Sequence, residues 1–354
     1  MSDELQPLRT EIDRLDDEVL DRLNRRAELA RRIGAIKQGA AYRPEREAQI
    51  LRRLTECNAG PLDSETIGRI FREVMSACLA LEQPLTIAYL GPRGTFSESA
   101  TRKQFGTAPT LADMATIDEV FRAVESGNAH YGVVPVENST EGAVGRTLDL
   151  LLATPLKICG EIGLRVHQHL LAKRAAVDRA RRVYSHAQSL AQCHEWLNRN
   201  LANLVRTPVA SNAEAARLAA GDEDACAIAG EAAAELYGLN ILARCIEDDP
   251  NNTTRFLVLG AHDAGRSGHD KTSFVCSAPN RPGAMHALLE PLAHNSVSMT
   301  KLESRPSGSG LWEYVFFIDV EGHQSEPPVA AALTELRHRA SFLKILGSYP
   351  RAVI

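Results

Sequence analysis

Two cations near the N-terminus are spaced to hold a small dianion, and a third lies out of their reach along the same segment. Arg26 and Lys37 stand eleven positions apart. On one helix that separation is about 20° around the axis and about 16 Å along it, so two long cationic side chains can converge on one ligand. Arg9 lies seventeen positions before Arg26, about 25 Å away on the same helix and out of reach of the same small site. If Arg9 contributes, it does so from a partner chain. A second constellation is Asn251-Asn-Thr-Thr-Arg-Phe256, which runs into Leu257-Val-Leu-Gly260. Two amides, two hydroxyls and a guanidinium sit where a loop becomes a buried strand, a place where a rigid element can hold polar groups in fixed geometry. The plain alternatives are a solvated basic helix face and an ordinary strand entrance.

The elements that must position these groups follow from apolar spacing. Leu8, Ile12, Leu15, Val19, Leu23, Ala27, Ala30 and Ile33 recur every three or four residues and predict one amphipathic helix to about Gln38. It would be roughly 50 Å long, too long to bury its stripe within an 83-residue unit, so an interlocked dimer is expected. Pro44 opens a second helix and Asp63 caps a third. The chain has 354 residues, a formal net charge of −5, 44% apolar and 5% aromatic content. That composition predicts two or three globular domains and argues against a generally basic nucleic-acid surface. The seven scattered cysteines contain no Cys-x-x-Cys pair, the pattern of reduced thiols and not of a disulfide frame or a zinc site. No apolar run approaches membrane-spanning length, the acidic stretch Met1-Ser-Asp-Glu4 does not read as the apolar core of a signal segment, and the expected location is the cytoplasm.

The first 83 residues resemble the all-helical chorismate mutase family through Leu8-Arg9, Arg26-Ala-Glu-Leu-Ala30, Gly34-Ala-Ile-Lys37 and Arg43-Pro-Glu-Arg-Glu47. The resemblance implies an all-α intertwined dimer. In it Arg26, Lys37 and Arg46, with Arg9 of the other subunit, hold the carboxylates and ether oxygen of chorismate, and Glu47 contacts its hydroxyl. The implied rearrangement to prephenate needs no nucleophile and no cofactor. A cation cage holds the compact conformer and stabilises charge on the breaking ether bond, with Lys37 and Glu82 counted as catalytic. Glu82 matches a position that is glutamine in many relatives. A carboxyl group there donates a hydrogen bond only when protonated, so mutase turnover is expected to decline as pH rises and Glu82→Gln to remove that decline.

Residues 84–262 alternate strands and helices and predict an α/β domain with a mostly parallel sheet. Polar turns at Gly91–Ser97, Glu137–Glu141, Ser185–Gln188 and Gly230-Glu231 each follow a strand end, where open sheets bind ligands and helix starts offer N–H groups. His186 also suits a plain helix cap. The blocks Gly91-Pro-Arg-Gly-Thr-Phe-Ser97, Val134-Pro-Val-Glu-Asn-Ser139, Tyr184-Ser-His-Ala-Gln188 and Thr254-Arg-Phe256 resemble the prephenate dehydratase family, which implies a two-lobed, periplasmic-binding-protein-like α/β fold. The implied reaction removes carbon dioxide and hydroxide from prephenate. The hydroxide needs a proton, and the carboxylate that leaves should not be clamped. Thr254 is the expected donor, with Glu137 or Glu231 as a proton source. Arg255, or the region of Ser97 and Asn138, is the expected clamp for the pyruvyl carboxylate. Thr95, Ser139, Ser185, His186 and Gln188 complete the expected substrate-binding set, and Phe256, counted with them, is most simply core.

After a polar, glycine-rich linker at 263–270, residues 271–354 predict a βαββαβ, α+β unit. Gly283 at a helix start would let backbone approach an amino acid's carboxylate, and Glu303 could meet its ammonium. Here the chain resembles the ACT domains of phenylalanine-regulated dehydratases: Glu303-Ser-Arg-Pro306 is intact, while the family's Gly-Ala-Leu-Val has become Gly283-Ala-Met-His286. The implied effector set is Asn280, Gly283, Ala284, Met285, Leu302, Glu303 and Ser304, at a site between paired ACT domains. The order of the three units is that of the bifunctional chorismate mutase–prephenate dehydratases. Two other readings use the same residues: an amino-acid sensor without turnover, and a dehydratase whose helical unit is only a dimerisation arm.

Overall fold

The computed structural model describes residues 2–36, 42–278, 281–306 and 314–352, with side chains from Leu5 onward. Lys37 and Asn280 lie outside the described residues. The helical unit consists of α1 (Ser2–Ile36), α2 (Pro44–Glu56) and α3 (Ser64–Glu82). Pro44 opens α2 where its missing N–H is not needed, and the Asp63 carboxylate accepts from Thr66 N at 2.7 Å to cap α3. The α1 stripe finds no cover in one chain: Leu8, Ile12, Leu15 and Val19 are 46–62% exposed. Only the C-terminal part of α1 packs, with Ala30 buried and Gly34 so close to α3 that a Cβ there would lie 3.0 Å from Glu82 Cβ. Buried Tyr42 joins this unit to the next, its ring centroid 4.9 Å from Phe105 and 5.1 Å from Tyr131.

The first lobe contains β1 (Thr86–Leu90), α4 (Phe96–Phe105), β2 (Thr110–Met114), α5 (Ile117–Glu125), β3 (Tyr131–Asn138), β4 (Gly142–Ala143), α6 (Gly145–Ala153) and β5 (Lys157–Arg165). The chain then builds a second lobe from β6 (His169–Ala172), β7 (Arg182–His186), α7 (Ala187–Gln192), α8 (His194–Asn200), β8 (Val205–Val209), α9 (Asn212–Gly221), β9 (Ala225–Ala229), α10 (Glu231–Tyr237) and β10 (Asn240–Ala243). It returns to the first lobe through β11 (Thr253–Gly260). The sheet orders are β2-β1-β3-β11-β5, with β4 on β3, and β10-β6-β9-β7-β8.

The sheets are mostly parallel, as expected, with one main strand reversed in each lobe. Strand β11 runs antiparallel between β3 and β5, and β6 runs antiparallel between β9 and β10. A chain that crosses between lobes and comes back must insert its return strand against the local direction. The extended stretch 158–171 likewise splits between the two sheets, and the helix opened at His186 breaks at Cys193.

The C-terminal unit has the expected order: β12 (Asp270–Ser277), α11 (Ala284–His294), β13 (Met299–Pro306), β14 (Tyr314–Glu321), α12 (Pro327–Arg339) and β15 (Phe342–Pro350), with sheet order β13-β14-β12-β15. Its sheet is buried on both faces. Phe274 and Cys276 pack under the two helices with Leu288, Leu333 and Leu336, whereas Val275, Phe317 and Tyr349 share one core with Leu151, Ile158 and Leu257 of the first lobe. That double burial accounts for the three consecutive buried apolar residues Phe274-Val275-Cys276 of β12. The approach is close: a Cβ on Gly347 would lie 2.2 Å from Ile158 O. Lys344 Nζ donates to the carbonyls of Leu151, Leu152 and Thr154 at 2.6–2.9 Å, at the negative end of α6.

Residues 263–270 are not a free linker. The Asp270 carboxylate accepts from Ser267 N and Gly268 N, and Arg52 Nη1 donates to Ser267 O.

Candidate functional site

The chain crosses between the lobes at 166–168 and 244–252, and Val166 N donates to Asn252 O where the crossings meet. Between the lobes lies a cleft of about 520 Å³ lined by Thr95, Ser97, Asn138, His186, Gln188 and Thr254 among others. Of the substrate-binding residues expected from the sequence, these six are brought together. Helices α4, α7 and α9 all begin at its wall, each presenting N–H groups. Among the described residues lining it, no lysine or arginine occurs.

Thr254 sits where β11 starts. Asn138 Nδ2 donates to Thr254 Oγ1 at 2.9 Å and to Asn252 Oδ1 at 2.8 Å. The amide orientation is set by its other end, since Asn138 Oδ1 accepts from Thr140 N, Thr140 Oγ1 and Glu141 N. Thr254 Oγ1 therefore has its acceptor role filled within the protein, and its O–H remains for the cleft. With both amide hydrogens engaged, Asn138 positions Thr254 instead of clamping a carboxylate. His186 is the N-cap of α7, accepting from Gln188 N at Nδ1, so its neutral ring carries the proton on Nε2. The plain capping role and a cleft-lining position hold together in one residue.

Other expected residues lie elsewhere. The Arg255 side chain leaves the cleft, because neighbours on a strand face opposite sides. It pairs with Glu161 at 2.8 Å and Asp319 at 2.6 Å and donates to Tyr349 OH, which removes it as a substrate clamp. Glu137 is ion-paired with Lys301 at 2.8 Å, and Glu231 pairs with Arg244 in solvent at 3.0 Å, so neither lines the cleft. Ser185 is fully buried and donates to Ile228 O, Ser139 Oγ accepts from Thr253 N, and Phe256 is core.

Sequence reasoning missed an amide layer. Gln168 and Asn212 both donate to Ser189 Oγ, and Gln192 joins the lobes by donating to Thr140 Oγ1 and accepting from Asn252 Nδ2. No motif marks these residues, because each partner is far away in sequence.

A second cavity, about 440 Å³, lies in the helical unit. Arg26, Arg46, Glu47 and Glu82 line it as expected, and Arg43, Arg53 and Arg72 add cations that were not foreseen. Arg9 is exposed and does not line it. Burial raises Glu47 to about 7, against the opposing pull of Arg72 3.9 Å away. The cavity is closed by Gln104 and Phe105 at the end of α4, whose first residues, Phe96 and Ser97, line the cleft.

In the C-terminal unit, Gly283 takes φ +79° at the N-cap of α11, ahead of Ala284 and Met285. Leu302, Glu303 and Ser304 lie on edge strand β13, with β14 between it and β12. Arg305, in the same block, pairs with Asp149 of α6 at 2.9 Å.

Comparison with known proteins matches the same three units. The family models for chorismate mutase type II, prephenate dehydratase and the ACT domain match residues 8–83, 87–264 and 272–338. A bifunctional chorismate mutase/prephenate dehydratase of Neisseria gonorrhoeae is 57% identical over 98% of this chain and 97% of its own. One from Stutzerimonas stutzeri is 50% identical over 100% and 99%. The crystal structure of a prephenate dehydratase in complex with L-Phe from Arthrobacter aurescens, 34% identical, superposes over 76% of this chain and 90% of that one with a TM-score of 0.70. Full-length identity of this order, with an arginine-lined helical cavity and a two-lobed cleft in one chain, means that the chain belongs to the bifunctional chorismate mutase/prephenate dehydratase family.

Proposed function

We propose that the two cavities catalyse consecutive steps. The helical cavity rearranges chorismate to prephenate, the cleft converts prephenate to phenylpyruvate, carbon dioxide and water, and L-phenylalanine bound at the ACT unit inhibits. The observation that carries this reading is the opposite chemistry of the two sites. The helical cavity collects arginines around an apolar floor, which suits a dianion whose ether bond breaks with charge development. The cleft offers hydroxyls, amides, an imidazole and helix N-termini, but no fixed cation. A dianion can be held there without a salt bridge on the carboxylate that must leave, which would stabilise the ground state more than the transition state.

In the cleft, Thr254 donates a hydrogen bond to the departing hydroxyl, which takes its proton from solvent and leaves as water, Asn138 orients Thr254, and Ser97 with the α4 N-terminus holds the pyruvyl carboxylate. In the helical cavity Arg26 and Arg46 bind carboxylates, with Lys37 and the partner's Arg9 completing the cage. The exposed α1 stripe supports a homodimer or higher homo-oligomer. All seven cysteines are free thiols, which supports a cytoplasmic location. Among the described residues no helix is long and apolar enough to cross a membrane.

The test is product analysis. Purified protein given chorismate, then prephenate, should yield phenylpyruvate from both, with L-phenylalanine suppressing it. Turnover of prephenate alone would reduce the helical unit to a dimerisation arm, and L-phenylalanine binding without turnover would leave a sensor.

Glu47 gives a pH prediction for the substrate-free protein. Its carboxyl group holds its proton more tightly when folded, at about 7, than at the ordinary 4.5. The linked stability is complete below the unfolded value and is lost as pH rises through the folded one, up to about 3 kcal/mol. Glu47→Gln should therefore lose less melting temperature than the parent between pH 5 and pH 8. Equal losses would place the pH response elsewhere. A mutase pH profile of Glu47→Gln beside that of the parent measures whether this buried carboxyl group also shapes the activity profile.

A further inference from the structure

His167, Cys245 and Glu247 lie outside both cavities, yet their donor atoms all fall within 4.8 Å of one another. His167 Nδ1 is 2.9 Å from Glu247 Oε1 and 3.7 Å from Cys245 Sγ. In a tetrahedral zinc shell, ligand bond lengths of about 2.0–2.3 Å place neighbouring nitrogen, oxygen and sulfur donors about 3.3–3.6 Å apart. The two separations from His167 need to change by only a few tenths of an ångström to reach that geometry, and the Cys245 thiol, within 4.8 Å of the Glu247 carboxylate, closes the remaining gap.

The surroundings are those of a built site. The Glu247 side chain is 2% exposed, and its second oxygen accepts from Gln168 N at 2.8 Å, which aims the first at His167. Cys245 is held in the left-handed region at φ +52°, where its backbone N donates to His169 Nδ1 at 3.0 Å. This strained conformation presents the thiol to the cluster. The pairs are 78 and 80 positions apart, so no ligand spacing appears in the sequence, and the cysteine pattern alone indicates no zinc site.

We propose that His167, Cys245 and Glu247 bind a zinc ion, with water in the fourth position, and that the ion fastens the two interlobe crossings together. His167 belongs to one crossing and Cys245 and Glu247 to the other, and Ile246 N already donates to Gln168 O between them. Gln168, next to His167, reaches the cleft at Ser189. A bound ion stiffens the crossings that form the cleft wall beside Gln168, while the helical cavity is untouched. A nitrogen, a thiolate and a carboxylate select zinc over magnesium or calcium, which prefer all-oxygen shells.

Cobalt(II) titration of the full chain tests this. One equivalent should give sulfur-to-cobalt charge-transfer absorption and the strong visible bands of a four-coordinate ion, both displaced by zinc. Cys245→Ser should lose the charge-transfer band, and His167→Asn should weaken cobalt binding at least tenfold. Cys57→Ser, which alters another exposed thiol, should bind as the parent does. Zinc should slow prephenate turnover in the parent and in Cys57→Ser but not in Cys245→Ser, with chorismate turnover constant in all three. Absence of the charge-transfer band in the parent, or its survival in Cys245→Ser, would overturn the proposal. So would equal zinc sensitivity in the parent and Cys245→Ser.

Discussion

Thr254→Val is expected to lower prephenate turnover by about 10²–10³-fold, the range for removing one hydrogen-bond donor aimed at developing charge, and to leave chorismate turnover at the parent level. Valine keeps the branched shape of threonine, so the start of β11 stays packed. The loss is a single O–H together with the acceptor for Asn138 Nδ2, which donates there at 2.9 Å. Leaving that amide hydrogen unpaired in a half-buried site costs about 1–3 kcal/mol, a stability change too small to unfold the chain. The decisive comparison is within one sample: phenylpyruvate from prephenate lost, prephenate from chorismate retained. Thr254→Ser, which restores an O–H, should recover part of the rate. Parallel loss of both activities in the valine variant would mean that residue 254 holds the fold and not the reaction.

Arg255→Ala should lower the free energy of unfolding by about 3–5 kcal/mol, the cost of stranding buried charge. The guanidinium is the hub of the seam between the first lobe and the C-terminal unit. Glu161, Asp319 and Tyr349 all meet it, and Lys271 reaches Glu161 from β12 at 2.7 Å. Without it Asp319 keeps a hydroxyl, Ser273 Oγ, but loses its cation. The contrast is Arg244→Ala, which breaks an ion pair that is 62% and 54% exposed and should change stability by no more than about 1 kcal/mol. Denaturant midpoints of the two variants measure the difference, and similar small shifts would show that the seam is held by its apolar core alone. The position also matters to chemistry, since the strand residue before Arg255 is Thr254.

Legibility followed physical scale. Helical spacing and caps are local, and α2 and α3 begin at Pro44 and behind Asp63 as the sequence indicates. The turns at strand ends are local too, and they placed Thr95, Ser97, His186 and Gln188 on the cleft. Strand residues were harder. Thr254 and Arg255 are neighbours in one polar entrance, but the pleat sends one to the cleft and the other to the seam. Which way each goes depends on a bulge at Arg255/Phe256 and on what packs behind. Glu137 was read as chemistry because it ends a strand, yet Lys301, 164 positions on, takes its charge. The antiparallel return strand was illegible for the same reason: strand direction within a sheet is settled by distant partners, not by the strand's own residues.

Helix α4 has a consequence for what evolution can change. It starts in the cleft at Phe96 and Ser97 and ends in the helical cavity at Gln104 and Phe105, about 15 Å later. One inserted residue near its middle would rotate one end by about 100° relative to the other. Whichever end stayed seated, the other would present the wrong side chains to its pocket. The helix thus acts as a ruler calibrated by two reactions at once: its solvent face is open to drift, but its length is not.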